Sequence, residues 1–223
     1  MASKVLIVGA SRGIGLEFVR QYREAGAQVT ATARGDEGLA RIQALGARAL
    51  RVDVASAAGA SALAWPVDGE AFDVAILNAG VYGPRSTGLQ TPTQAEFDAV
   101  MHTNVLGALR VLPIVAEALA PGARLAVISS RMGSMALRTN PSGWLYRASK
   151  AALNSVLKDV SLALAGRALC VGLHPGWVRT DMGGGDADLD VAESVATMRA
   201  TLAELTPAEH GGFLNHDGQP LAW

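Results

Sequence analysis

Cysteine, aromatic side chains, surplus charge and long apolar runs are all scarce in this chain of 223 residues. The single cysteine, Cys170, excludes internal disulfides and cysteine-rich metal sites. It lies in Ala168-Leu169-Cys170-Val171-Gly172-Leu173, which reads as a buried strand rather than the setting of a reactive thiol. Four Phe, three Tyr and four Trp are too few to build stacking platforms for single-stranded nucleic acid. Nineteen basic against twenty acidic residues leave a net charge of −1, without the positive excess that phosphate-backbone binding requires. A nucleic-acid partner is therefore not expected. The first apolar stretch, Val5 to Ala10, is too short for a signal-peptide core or a membrane span, and no contiguous apolar run elsewhere approaches eighteen residues. The expectation is a cytoplasmic protein with no membrane partner. The four histidines, His102, His174, His210 and His216, show no metal-ligand spacing, so no metal site is expected.

Small residues, by contrast, are abundant: 41 alanines and 25 glycines suit close packing of helices on a sheet. The length corresponds to one domain over 1–223, at the usual scale of roughly 100 to 200 residues per domain. Short β-rich runs alternate with longer helical patterns. Strands are expected at Lys4–Gly9, Gln28–Ala33, Arg48–Val52, Asp73–Leu77, Arg124–Ser129, Ala168–Leu173 and Gly212–Asn215. Ile14, Phe18, Val19 and Tyr22 share a face of the first helical pattern, and Glu37–Leu45 and a weaker Ser56–Trp65 follow. Thr93 and Glu96 form a capping-box signature opening a long helix to Leu119, which Pro113 should kink or divide. A further helix spans Tyr146 to Leu164. Apolar strands joined by helices imply a doubly wound α/β fold, a single parallel sheet of about seven strands covered on both faces. Ligands bind such sheets beyond the carboxyl ends of the strands.

Just past the first strand stands Gly9-Ala10-Ser11-Arg12-Gly13-Ile14-Gly15. Glycines there let backbone amides and the positive end of a helix approach a pyrophosphate. Asp53-Val54 follows the third strand and Asn78-Ala79-Gly80 the fourth. Asn104 lies in the long helix, and Ser130, Tyr146-Arg147-Ala148-Ser149-Lys150 and Pro175-Gly176 come after it. In this order and context, over nearly the whole chain, the set resembles the classical short-chain dehydrogenase/reductase family, which implies the Rossmann fold. The resemblance implies that Gly9, Ser11, Arg12, Gly13, Ile14, Gly15, Asp53, Val54, Asn78, Ala79, Gly80, Tyr146, Lys150, Pro175, Gly176, Val178 and Thr180 bind a nicotinamide cofactor. At the end of the second strand, Thr30-Ala31-Thr32-Ala33-Arg34, no acid awaits the ribose hydroxyls of NAD, and Arg34 with Arg12 can clamp a 2′-phosphate. NADP(H) is expected over NAD(H). Asp36 and Glu37 weigh against this unless they serve the following helix.

Tyr146 and Lys150 are four residues apart on one helix face, where an ammonium is expected to draw the phenol's pKa down toward working pH. The resemblance implies that Tyr146 donates its proton to a carbonyl oxygen and that Lys150 holds the nicotinamide ribose. It also implies that Asn104 binds a water in a proton relay. Ser130 begins Ser-Arg-Met-Gly and is expected to hydrogen-bond the substrate oxygen, with Ser134, twelve residues before Tyr146, as the alternative. The glycine-hinged acidic stretch within about 181–205 reads as a substrate lid or as a solvated loop serving the next helix. Tyr82, Met132, Met135, Trp144 and Met182 suggest an apolar substrate pocket.

Within the family the chain looks most like the sniffer-type carbonyl reductases and the C-factor group, which implies NADPH-dependent reduction of a small aldehyde or ketone. The C-factor relatives are discussed as cell–cell signals, so a dinucleotide-binding signalling or regulatory protein is the alternative. Family precedent implies a homodimer or homotetramer, built through the helices that carry Asn104 and Lys150.

Overall fold

In the strand Lys4–Val8 (β1) the side chains of Val5 and Ile7 enter one apolar cluster and those of Leu6 and Val8 another, and all four are buried. This is the period of two of a strand covered on both faces. The computed structural model describes residues 2–223, and the alternation continues through them. After β1 come α1 (Gly13–Glu24), β2 (Gln28–Ala33), α2 (Asp36–Ala44), β3 (Arg48–Arg51), α3 (Ala57–Ser61), α4 (Ala64–Val67) and β4 (Phe72–Leu77). The second half holds α5 (Gln94–Met101), a π-helical turn (His102–Leu106), α6 (Gly107–Glu117), β5 (Leu119–Ile128), α7 (Trp144–Ala163), β6 (Ala168–His174), α8 (Val191–Glu204) and β7 (Gly212–Asn215).

The sheet has seven strands in the order β3-β2-β1-β4-β5-β6-β7, every pair parallel. This is the doubly wound α/β architecture of the Rossmann type. The cluster on one face takes Ala108, Val111, Leu112 and Val115 from α6 and Leu153 and Leu157 from α7. The opposite cluster takes Phe18 and Val19 from α1, Ile42 from α2 and Val195, Met198 and Leu202 from α8. The order reverses between β1 and β4, so the two connections leaving that point run to opposite sides and open a crevice at the strands' carboxyl ends.

Four elements differ from the sequence expectation. The long helical stretch is interrupted at His102–Leu106, not at Pro113, which sits inside α6. The bond that Pro113 cannot make would reach Leu109, half-exposed, where solvent can take the missing donor's place. The expected helix Ser56–Trp65 is two short helices, α3 and α4. The fifth strand begins at Leu119 rather than Arg124, with a register irregularity against β4 between Phe72 and Val74. Finally, the stretch expected as a lid over 181–205 divides. Residues 181–190 are turns with one bridge, Val178 to Leu189, whereas α8 is anchored by buried Val195, Met198 and Leu202.

Gln94–Glu117 is 24 residues long and its most apolar 18-residue window has a mean hydropathy of 1.5, enough by length and composition to cross a bilayer. It lies against the sheet, with Val100, Val111, Leu112 and Val115 buried.

Leu157 of α7 is fully buried and reaches β6 at Gly172, where a Cβ would come within 2.9 Å of its Cδ2. Leu157→Ala should cost about 2–5 kcal/mol of stability through the cavity it leaves, read as a lower urea midpoint with an unchanged denaturant slope.

Candidate active site

Every expected site residue apart from Asn104 lies at or just beyond a strand's carboxyl end, or at the start of the helix that follows. Gly9 directly follows β1 with φ of +91°, and a Cβ there would stand 2.6 Å from the Cα of Ala79. A Cβ on Gly15 would stand 2.2 Å from the carbonyl oxygen of Gly9. Both positions therefore require glycine, so that the turn and the loop after β4 can touch. Asn78 donates from Nδ2 to the Gly9 carbonyl at 2.7 Å and closes the contact.

The start of α1 carries no capping side chain, because Arg12 occupies the N-cap position without such a bond and the first turn holds no acid. The backbone donors of a twelve-residue helix are thus left facing the crevice with the positive end of its dipole, a setting suited to a phosphate. Ser11 and Ile14 flank this turn, and Thr180, after β6, lies over it, its Cγ2 3.5 Å from where a Gly13 Cβ would be. Pro175 accepts a hydrogen bond from the buried Ser194 hydroxyl at 2.6 Å, and Gly176 has φ of +86°. Val178 is buried. On the opposite flank, Asp53 accepts from the amide of Ala55 at 3.1 Å, and Val54 is buried against Gly107.

The acids near Arg34 are already engaged. Asp36 pairs with Arg51 and Glu37 with Arg41, both from the first turn of α2, whose N-cap is Gly35 without a side-chain bond. Arg34 is exposed, with no acidic partner among the described residues. Arg12 is paired with Asp181 at 2.9 Å, a contact across the crevice that nothing in the sequence spacing announced.

Tyr146 and Lys150 lie in the first two turns of α7, both buried. Lys150 donates from Nζ to the carbonyl of Ile128 at 2.9 Å, and Nζ lies 5.7 Å from the centre of the Tyr146 ring. The expected lowering of the phenol pKa is not what the site shows. Burial raises Tyr146 above its ordinary value, with the Ser130 hydroxyl acting the other way, and pushes Lys150 down to about 8. Desolvation disfavours the charged forms of both groups.

Ser130, not Ser134, is the serine beside the phenol. Its Oγ accepts from the amide of Met132 at 3.1 Å, and Gly133 lets that turn press on α7, since a Cβ there would meet the Lys150 backbone at 2.8 Å. The Ser-x-x-Gly spacing thus sets the serine against the tyrosine and the glycine against the lysine. Ser134 is spent elsewhere: its hydroxyl donates to the carbonyl of Ala222 at 2.7 Å and accepts from Leu137.

Asn104 is buried in the π-helical turn, its amide committed to protein partners. Oδ1 accepts from Val81 at 2.8 Å, while Nδ2 donates to the Val81 carbonyl at 2.8 Å and to the Ser149 hydroxyl at 2.9 Å. The side chain therefore ties the loop after β4 to α7. Gly80 leaves a gap beside it, since a Cβ there would stand 3.3 Å from Oδ1 and 3.5 Å from Lys150 Nζ. Of the expected pocket residues, Tyr82 and Met132 converge at Gly143, and Trp144 is half-buried with its indole N–H on the Gln90 carbonyl. Met182 is 39% exposed at the rim, and Met135 points outward at 71% exposed.

A doubly wound sheet with a glycine-rich turn at its switch point and a buried Ser-Tyr-Lys cluster defines a dinucleotide-dependent oxidoreductase. The family model for short chain dehydrogenases matches residues 3–188, and the chain belongs to that family. It is 40% identical over 154 residues to C-signal of Myxococcus xanthus, a match covering 68% of this chain and 92% of that one. A carbonyl reductase from Pseudomonas aeruginosa PAO1, solved in complex with NADP, superimposes with a TM-score of 0.89 at 34% identity, with 100% of both chains covered. The carbonyl reductase Sniffer of D. melanogaster superimposes at 0.88 with 31% identity, again with both chains fully covered.

The lysine's displacement has a stability consequence. Below about pH 8 it is protonated folded or unfolded, and its buried charge opposes folding. From about 8 up to its ordinary 10.5 the unfolded chain holds the extra proton, so stability rises with pH. The raised phenol acts oppositely, but only above its ordinary value of 10. Between pH 7.5 and 9.5, urea denaturation should therefore show wild type gaining stability relative to Lys150→Met, a gap that stays constant if Lys150 titrates normally.

Proposed function

We propose that the protein is an NADPH-dependent reductase of aldehydes or ketones, with Tyr146 as the proton donor. The observation that carries this reading is the buried cluster of Ser130, Tyr146 and Lys150 beside the crevice. When bound, NADPH supplies the hydride to the carbonyl carbon. Ser130 holds the substrate oxygen by a hydrogen bond, and Tyr146, kept protonated by burial, donates its proton to that oxygen. Lys150 would hold the cofactor ribose and return a proton to the phenol, and a water bound at Asn104 beside Gly80 would resupply Lys150 from solvent. Because Lys150 is pushed down to about 8, it can give up a proton near working pH.

The uncapped turn of Gly9, Ser11, Arg12, Gly13, Ile14 and Gly15 would hold the pyrophosphate, Asp53 and Val54 the adenine, and Asn78, Ala79 and Gly80 the adjoining ribose. Pro175, Gly176, Val178 and Thr180 would hold the nicotinamide. Arg34, unpaired while its neighbouring acids are engaged, is the principal ligand of the 2′-phosphate, with Arg12 beside it. Residues 181–190 act as the lid. The exposed apolar side chains Phe97 and Leu109 on α5 and α6, and Leu162 on α7, support assembly into a homodimer or homotetramer.

A signalling role is favoured by one observation, the 40% identity to C-signal. Turnover distinguishes the two readings. Against a panel of aliphatic, aromatic and dicarbonyl substrates, NADPH consumption should exceed NADH consumption, and Tyr146→Phe should lower kcat by about a hundredfold or more. Cofactor binding without turnover of any carbonyl would favour the signalling role. Arg34→Ala should raise the KM for NADPH about fivefold or more and leave that for NADH unchanged. Equal effects on both cofactors would remove Arg34 from the phosphate site.

A further inference from the structure

We propose that Tyr82 is a positioning residue for Tyr146, and that Arg85 ties this aromatic pair to the lid. The inference rests on Tyr146 being the proton donor and extends it to residues outside the catalytic cluster. The two rings stack with centroids 4.6 Å apart and planes at 23°. Arg85 covers Tyr82, its Cζ 5.1 Å from the ring centre, and donates from Nη2 to the Met182 carbonyl at 2.8 Å. One continuous series thus runs from the 181–190 segment through Arg85 and Tyr82 to the reacting phenol.

The loop that carries Tyr82 is pinned where it needs to be. The amide of Gly143, at the start of α7, donates to the Ser86 carbonyl at 2.9 Å, and the Trp144 indole donates to Gln90 at 3.0 Å. Gly143 has φ of +64°, and a Cβ there would stand 2.5 Å from the Tyr82 hydroxyl. Glycine at this helix start therefore makes room for Tyr82 immediately beside the turn that holds Tyr146.

A ring face laid on Tyr146 does two things. It removes water from that face, which with burial keeps the phenol protonated, and it restricts the ring's rotation so that the hydroxyl stays beside Ser130. The charged and titratable groups around the pair are Lys150 on α7, Arg85 over Tyr82, and Arg147, which senses both the Tyr82 hydroxyl and Arg138. None of these named groups is an acid. When the 181–190 segment shifts, Met182 carries Arg85 with it, and the stack on Tyr146 loosens or tightens accordingly.

The test compares Tyr82→Ala, Tyr82→Leu, Tyr82→Phe, Arg85→Ala and Tyr146→Phe for thermal unfolding, for kcat and KM across pH, and for tyrosinate absorbance. The protein has only three tyrosines, so difference from Tyr146→Phe isolates the signal of interest. Tyr82→Ala should lower kcat about tenfold with the larger effect on kcat than on KM, and move both the basic limb of the profile and Tyr146 ionisation to lower pH. Tyr82→Phe, which keeps the ring, should restore both. Tyr82→Leu keeps much of the apolar volume but offers no flat ring, so it should lower kcat as Ala does with a smaller shift of ionisation, which covers the case in which Ala unfolds. Arg85→Ala should lower kcat about two- to threefold through the weakened cation–ring contact. Unchanged pH profile and ionisation in the folded Ala and Leu variants would overturn the positioning role, and an unchanged kcat in Arg85→Ala would overturn the tie to the lid. Full turnover by Tyr146→Phe would instead overturn the proton-donor reading itself.

Discussion

The contact on which the site depends is the near-touching of two backbones at the switch point of the sheet. Gly9 follows β1 and Ala79 follows β4, and the absent side chain at Gly9 lets them meet while Asn78 bonds the Gly9 carbonyl. Gly15 lets α1 descend onto the same carbonyl. If those two loops were an atom's width further apart, the uncapped start of α1 would no longer stand in register with Gly80, Asn104 and Lys150. The start of α1 and the Ser130-Tyr146-Lys150 cluster would then no longer share one crevice.

Desolvation governs the protonation of the buried Tyr146–Lys150 pair. Tyr146 and Lys150 are close enough to influence each other, yet each is buried, and withdrawal from water favours the neutral form of both. Burial thus favours a protonated phenol beside a lysine drawn toward its neutral form, the opposite resting state from a phenolate beside an ammonium. Charge is kept at the rim, where Arg12 meets Asp181 with both side chains mostly exposed. Such a pair contributes little to stability and separates easily, which leaves Arg12 free to exchange Asp181 for another anion.

The fold was legible because apolar alternation and helix-length spacing are local signals, and a parallel sheet leaves few ways to connect them. The interruption of the long helix was misplaced because a proline is visible in the sequence and a π turn is not. What marks His102–Leu106 is the need of Asn104 to reach Val81 and Ser149, both remote in the chain. The choice of Ser130 over Ser134 rested on Ser-x-x-Gly spacing, and the structure supplies its cause in the contact of Gly133 with α7. Spacing along α7 shows that an ammonium neighbours the phenol but not how much water surrounds it, and burial raises the Tyr146 pKa.

The sequence by itself determined the strand and helix order, the glycine turn, the Tyr-Lys pair on one helix face and the family. Each is written in spacing along a few consecutive residues. Only the tertiary structure decided that Tyr82 lies on Tyr146, that Arg12 meets Asp181, that Asn104 is a tie between elements, and that burial sets the protonation of the active pair. Those contacts join residues tens or more positions apart, and burial is a property of everything packed around a group, so neither is encoded in any local pattern.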